Sequence, residues 1–576
     1  MNYAGNLKTT GQIELPRWRA RFLFGILMLI LFLLFVRAVY LQAIHTDFLR
    51  HEGDARYARV IDISAHRGKI TDRNGEPLAI STEVQSVWAS PAEVSVTSKQ
   101  IARLSQLLGV SAAELKTRLT DTSRDFIYLK RQMPPDQAKK VLDLGIEGIA
   151  LRREYRRYYP GAEVTAQVVG FTNIDDNGQE GIEYGWQSVL GGKNGSQRVI
   201  KDRRGQIVED VASIRVPKPG KDLALSLDSK IQFAAFREIR NAVEQHHAKW
   251  GAAVVLDAKT GEVLALANWP SYNPNNREKP VPEAMRNHAV ADMFEPGSTM
   301  KPFTIASALE AGKIRQDTRI DTQNGVMEIN GRKIHDTHPE SMLTVTQVIQ
   351  KSSNVGAAKI ALMMPPKVFW QSLNDAGFGE ATGSRFPGEA SGKLRDYKTW
   401  RPIEQATMSY GNGISVNLLQ LARAYTVFAN DGELKPVTFQ KQEVPVLGPT
   451  VFSAATTQAV RSMMETVVKP GGTAPLAQVV GYRVAGKTGT AHKLENGKYV
   501  DKYIASFVGL APASNPRLIV AVMVNEPAGR DYYGGQVAAP VFSNIVTSAL
   551  RQLNVPNDAP LNNVIQPAGD IIREDT

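Results

Sequence analysis

The sequence predicts an α+β protein: an antiparallel sheet flanked by helices, preceded by a separate module and by one apolar helix. Three observations carry this. Runs of strand character occur at residues 252–257 and 262–268 and return at 479–490, 503–511 and 518–526. The chain between the two sets has helical spacing, and early strands, a helical middle and late strands favour a sheet with helices on its faces. An apolar run at 22–36 stands alone near the start.

In order, Lys8, Arg17, Arg19 and Arg21 precede that run, and residues 38–41 extend it once Arg37 snorkels. A spanning helix needs roughly 20 apolar residues. No small-residue cleavage site follows, so an uncleaved signal anchor is expected. Its cytoplasmic tail is 1–17, its span 18–41, and everything after about His45 lies outside the cytoplasmic membrane.

Residues 54–221 read as an extracytoplasmic module. Asn74 and Gly75 make a tight-turn signal between short strands. Helical spacing covers 98–108, 112–119 and 135–144, an arginine and tyrosine cluster fills 152–160, and 178–183 opens another helical stretch. The charges here group into no nucleophile and base, and read as hydrogen-bonded scaffold and solvated surface.

The second module is 223–555. Its first two strands form a hairpin around Lys259, Thr260 and Gly261, and helices are expected at 303–311, 344–350, 355–364 and 418–429. The polar, proline-bearing tail 556–576 is expected to be flexible. Hydrophobic content of 43% and charged content of 22% are those of an ordinary globular protein. The net charge of +11 suits an anionic partner, but the basic residues are scattered without a nucleic-acid motif, which argues against nucleic acid. With no cysteine there is neither a disulfide nor a thiolate metal site, and His246, His247 and His492 stand apart, so no metal is expected.

Candidate chemistry starts in Phe294-Glu295-Pro296-Gly297-Ser298-Thr299-Met300-Lys301-Pro302-Phe303. Pro296-Gly297 is a turn signal, and Gly312 stops the helix that follows. Ser298 therefore sits at or before a helix N-terminus, where Pro302 is tolerated in the first turn. Lys301 is three residues on, and such pairs share a helix face, so hydroxyl and amine can meet. A neutral amine activates a serine without a histidine, and both the helix N-terminus and burial disfavour the ammonium. Alone, so loose a pattern recurs by chance and favours Ser298 as an N-cap and Lys301 as a solvated charge. Downstream, Ser352, Ser353 and Asn354 occupy a loop between helical runs. Lys487, Thr488, Gly489 and Thr490 lie on a strand, with Lys487 and Gly489 on one face and Thr488 and Thr490 on the other.

In that order, the three sets resemble the triple signature of the penicilloyl-serine transferases, that is, penicillin-binding proteins and serine β-lactamases. The resemblance covers most of the chain after the anchor. The run Arg67 to Gly75 with Leu78 and Ala79 is similar to the anchor motif of the class B, monofunctional penicillin-binding proteins. Tyr272 to Asn276, the Ser298 segment, Tyr532 to Gly535 and Ala539 to Phe542 resemble the cell-division member of that group, penicillin-binding protein 3 of Gram-negative bacteria. Asn412 stands where an aromatic residue is commoner and Asn417 where threonine is usual, which leaves room for a division paralogue.

The resemblance implies the penicillin-binding and serine β-lactamase fold behind an elongated N-terminal pedestal, and D,D-transpeptidase activity at the septum. It implies Ser298 as nucleophile, Lys301 as base and Ser352 as relay to the leaving D-alanine. Asn354 would orient the stem peptide, Lys487, Thr488 and Thr490 would hold its carboxylate beside Gly489, and the N–H groups of Ser298 and Thr490 would form the oxyanion hole. The donor would lie along the edge strand, and β-lactams would acylate Ser298. No cofactor is implied; the implied partners are a polytopic septal glycosyltransferase and other divisome membrane proteins. A β-lactamase would share the triad but needs a water-activating base, and none is evident. A D,D-carboxypeptidase differs only in taking water as acceptor, and a β-lactam sensor or division scaffold would only bind.

Overall fold

The structure, a computed structural model, describes residues 17–44, 58–124, 126–201, 207–277, 281–495, 497–529 and 531–565. The basic stretch before Arg17, the module boundary at 54 and the tail beyond 565 lie outside the described residues. Helix Arg17–Val39 continues through a π turn at Tyr40–Ile44, and its apolar side chains are exposed throughout. Among the described residues it is the one helix long and apolar enough to cross a membrane.

The seventeen strands named below are β1 to β17 in chain order. β1 is Ala58–Ile63, β2 Ile70–Thr71, β3 Pro77–Ala89, β4 Ile127–Met133, β5 Ile149–Tyr158, β6 Gly195–Lys201, β7 Ile207–Arg215 and β8 Leu223–Ala224. Next come β9 Trp250–Asp257, β10 Val263–Trp269, β11 Arg319–Asp321, β12 Val326–Ile329, β13 Arg332–His335 and β14 Met342–Thr344. Last are β15 Ala485–Glu495, β16 Lys498–Ala511 and β17 Leu518–Asn525.

The chain divides into two compact units, each drawn from separate stretches of sequence. One comprises Val84–Glu154, Asn194–Pro217 and the described residues up to Ser64; the other comprises Ala65–Glu83, Tyr155–Lys193 and everything from Lys218. In the first, the later residues of β3 pair with β4, and helices Ser98–Leu108, Ala112–Thr120 and Pro135–Leu142 close a small core around Leu104, Leu115, Leu129 and Val141. Thr97 caps the first helix with a full capping box, and Ser111 caps the second. β1, β6 and β7 form an antiparallel three-stranded sheet in the same unit.

In the second unit, β2 pairs antiparallel with β3 and parallel with β8, which draws Ile70, Leu78 and Ala79 into the main core. Three charges of this unit are buried together. Arg67 and Glu183 are fully buried, joined through Nε and Oε2 at 2.6 Å, while Arg157 donates to the other carboxylate oxygen, also at 2.6 Å. Arg67 also donates to the carbonyl oxygens of Asp176 and Glu183 and to the Gln187 side chain. Breaking such a buried pair typically costs about 3 to 5 kcal/mol, because the surviving charge is left uncompensated. The hydrogen-bonded scaffold is this buried cluster, while most other charges of the module, Lys99, Arg103 and Lys139 among them, lie exposed as expected.

The main sheet has strand order β10-β9-β17-β16-β15, antiparallel throughout. Every residue of β9 and β17 is buried, so both faces are covered. Helices Ser229–Gln245 and Gly534–Gln552, packed on each other, cover one; Leu418–Ala424 packs on β9 and β17 from the other. β15 is the edge strand. It begins at Ala485, not at 479 as expected, because the backbone before it bonds elsewhere: Gly481 N–H to Asn563 and Arg483 N–H to Asp558. The same bonds fasten residues 556–565, together with Asp558 to Ser514 and Asn563 to the carbonyls of Val479 and Tyr482. That stretch is not loose, contrary to expectation.

Burial pushes the Asp176 carboxyl up to about 6, against the pull of Arg67 and Arg157. Below about pH 4 both the folded and unfolded forms hold this proton; between about 4 and 6 only the folded form does, so rising pH costs stability across that window. Asp176→Asn, which keeps the left-handed backbone (φ 62) accessible, removes the dependence. Thermal melts from pH 4 to 7.5 should show the variant gaining on the wild type as pH rises through 6, by at most about 3 kcal/mol. Parallel curves would contradict this.

Candidate active site

The serine segment is fixed at both ends. Phe294 exchanges both backbone hydrogen bonds with Val416 at 2.9 Å, Gly297 turns the chain at φ 56, and a 3-10 turn at Gly297–Met300 leads into helix Lys301–Glu310. Tyr425 donates its hydroxyl to the Thr299 carbonyl at 2.8 Å, and Thr299 Oγ1 donates to the Pro296 carbonyl at 2.8 Å. Gly411 lies so close that a Cβ there would come within 2.2 Å of the Gly297 oxygen. The expected turn and helix are present, with the helix starting at Lys301.

Ser298 and Lys301 are fully buried, and their Oγ and Nζ atoms are 2.7 Å apart. The same amine lies 2.6 Å from the Ser352 carbonyl oxygen, 2.9 Å from Ser352 Oγ and 2.7 Å from Asn354 Oδ1. The turn carrying those groups sits between helices Val345–Gln350 and Asn354–Leu362, with Ser352 in a left-handed conformation at φ 60. Ser353 is the second helix's N-cap, accepting from Gly356 N–H at 2.8 Å. Asp336 pins this turn by accepting from Ser353 Oγ at 2.6 Å and from Val355 N–H at 2.9 Å.

The third set forms the facing wall. Its alternation is as expected: a Cβ on Gly489 would meet Pro296 O at 2.9 Å, Thr299 Cγ2 at 3.1 Å and Ser506 Oγ at 2.5 Å, so only a glycine lets β15 lie against the serine segment. On the opposite face, Thr490 Oγ1 accepts from Gly534 N–H at 3.0 Å and Thr488 Oγ1 lies 2.8 Å from Thr473 Oγ1. Lys487, fully buried, reaches Thr488 Oγ1 at 3.0 Å. Ser298, Ser352 and Asn354 thus meet at the Lys301 amine, and the strand that carries Lys487, Thr488, Gly489 and Thr490 lies against the serine segment through Gly489.

An amine bonded to a serine hydroxyl, with a small-residue edge strand opposite, is an acyl-transfer arrangement. The family described as the penicillin binding protein transpeptidase domain matches residues 251–547, and the penicillin-binding protein dimerisation domain matches residues 62–225. The chain belongs to the class B penicillin-binding proteins. Over 92% of its length it is 45% identical to the probable peptidoglycan D,D-transpeptidase PenA of Neisseria meningitidis, covering 91% of that protein. Over 94% it is 44% identical to the peptidoglycan D,D-transpeptidase FtsI of Escherichia coli, covering 93% of it. The apo transpeptidase domain of Burkholderia pseudomallei penicillin-binding protein 3 is 51% identical, with a TM-score of 0.54 over 58% of this chain and 98% of that one. A peptidoglycan synthetase of Bifidobacterium adolescentis gives 0.70 at 25% identity, over 90% of this chain and 100% of that one. Helix Arg17–Val39, apolar and exposed along its length, fits this penicillin-binding protein being anchored in a membrane.

Sequence reasoning missed a second set of contacts at this penicillin-binding site. Glu295 accepts from Gly413 N–H at 2.8 Å and from Tyr499 OH at 2.9 Å, tying the loop after Gly411 and the start of β16 to the serine segment. Burial raises the Glu295 carboxyl and the Tyr499 phenol, the latter also because of the carboxylate beside it. The only signal was an acid three residues before the serine.

Gly411→Ala would place a methyl in the Gly297 peptide and force alanine to φ 91. Fluorescent-penicillin kinetics should show acylation slowed on the order of 10²-fold with a lowered melting temperature. Unchanged kinetics would mean that the contact does not set the nucleophile's position.

Proposed function

We propose that this chain cross-links peptidoglycan stem peptides at the division septum through a Ser298 acyl-enzyme. The observation that supports it most is the 2.7 Å contact between Lys301 Nζ and Ser298 Oγ inside a buried site. In the reactive form the amine is neutral. Its lone pair faces the Ser298 hydroxyl, and its two N–H bonds point to the Ser352 carbonyl and Asn354 Oδ1, which hold the lone pair on target.

Ser298 Oγ attacks the carbonyl carbon of the penultimate D-alanine while Lys301 takes its proton. The oxyanion is held by the N–H groups of Ser298 and Thr490, where losing one donor typically costs about 10²- to 10³-fold. The C–N bond breaks, the proton passes through Ser352 Oγ, 2.9 Å from Lys301 Nζ, to the departing amine, and D-alanine leaves. The amine of a neighbouring stem then attacks the ester, gives up a proton by the same route, and frees Ser298 as the new amide forms. Lys487, Thr488 and Thr490 grip the donor carboxylate during the first half, with charge-assisted hydrogen bonds. A β-lactam enters as a mimic of the same D-alanyl-D-alanine end.

The anchor crosses the cytoplasmic membrane with its arginine-rich end inside and the bulk of the chain in the periplasm. The names of the Escherichia coli and Neisseria relatives support the activity. A polytopic glycosyltransferase of the division machinery supplies the glycan, through contacts with the anchor and the Arg67 segment.

Mass spectrometry of the full-length protein treated with penicillin should find one adduct, on the peptide containing Ser298, absent in Ser298→Ala. Lys301→Met should slow its formation by about 10²- to 10⁴-fold. With donor and acceptor peptides, an amide-linked dimer supports the transpeptidase; D-alanine release with no dimer would make the chain a carboxypeptidase.

A further inference from the structure

Beside the catalytic residues lies a cavity of about 280 Å³ lined by Asn412, His492, Tyr499, Val500 and Asp501. Three links place it next to the reaction centre. Asn412 follows Gly411, whose backbone rests on Gly297; Tyr499 bonds Glu295; and His492 is two residues past Thr490 on β15.

The course of the donor, which rests on the transpeptidase reading above, leads into it. A donor whose carboxylate is held by Lys487, Thr488 and Thr490, and whose scissile carbonyl meets Thr490 N–H, runs toward higher residue numbers of β15 as it is followed back toward its own N-terminus. At about 3.3 Å per residue, the stem residue before the D-alanyl-D-alanine end lies beside Ala491, His492 and Lys493. Its side chain meets the cavity.

The lining states what that side chain is. Val500 and the Tyr499 ring offer apolar walls for an aliphatic stem. Asp501 offers a carboxylate oriented by Tyr503 OH at 2.9 Å, and the Tyr503 ring packs on His492 with centroids 4.6 Å apart. The flanking cations are engaged by other acids: Lys493 and Lys502 both pair with Glu495 and Glu526. An aliphatic chain ending in an ammonium fits this combination. Cross-linking chemistry provides one, because the acceptor amine is carried on a stem and the donor is another copy of the same stem.

We propose that the cavity receives the amine-terminated side chain of the donor-stem residue preceding D-alanyl-D-alanine, with Asp501 as its counter-charge. The site thereby distinguishes a donor whose amine is free from one whose amine is already amide-linked and uncharged.

The test compares D-alanine release by the full-length enzyme from two pentapeptide donors, one with a free lysine-type amine at that position and one with the amine acetylated. The wild type should favour the free amine about fivefold in kcat/KM, mostly through KM, as expected of a partly exposed ion pair. Asp501→Asn should bring the ratio close to one and Asp501→Glu should restore part of it, with stoichiometric penicillin acylation showing that each variant has a formed site. Equal use of both donors by the wild type, or an unchanged ratio in Asp501→Asn, overturns the subsite while leaving the transpeptidase standing. Release from neither donor, with Ser298 still acylated by penicillin, overturns the transpeptidase reading and the subsite with it.

Discussion

One buried nitrogen organises this enzyme. Lys301 Nζ is within hydrogen-bonding distance of four oxygens drawn from three residues, one of them the nucleophile. Because a neutral amine has only two hydrogens and one lone pair to distribute, the positions of Ser298, Ser352 and Asn354 become a single geometric problem. Much of the surrounding packing bears on its solution: Tyr425 and Gly411 hold the serine segment, and Asp336 holds the Ser352 turn. Burial then serves chemistry, since removal from water disfavours the ammonium and strengthens every dipole aimed at the reacting atoms.

The wall opposite depends on atoms that are absent. Gly489 lets the edge strand approach the Pro296 carbonyl, and Gly534, whose own Cβ would collide with Gly489 and Ser506 oxygens, lets the last helix begin against the other face. Its N–H meets Thr490 Oγ1, so the helix start and the edge strand are set together. Further away, the Arg67, Glu183 and Arg157 cluster is a costly way to hold a segment, tolerable only because each carboxylate oxygen and most guanidinium donors find partners.

The sequence made the site legible where chemistry demands fixed spacing. Ser298 and Lys301 are three residues apart, and the alternation of Lys487 to Thr490 follows from strand geometry alone. What brings Ser352 and Asn354 to Lys301, 51 and 53 residues away, is tertiary packing, which only the family resemblance foretold. Elsewhere local pattern lost to remote partners. Residues 479–484 have strand character, yet Asp558 and Asn563 take their backbone hydrogen bonds, which also fastens the described part of the tail. Arg67 reads as a solvated charge until Glu183, 116 residues on, is seen beside it. The Glu295 to Tyr499 contact spans 204 residues, and the acid before the serine does not indicate its partner.

The account rests on Lys301 being an uncharged base at working pH. Nuclear magnetic resonance of the full-length protein with isotope-labelled lysine side chains reads this directly, with Lys301→Ala assigning the signal. At neutral pH the assigned resonance should have the shift of a neutral amine and should move when penicillin acylates Ser298. An ammonium shift across the active pH range, indifferent to acylation, would contradict it.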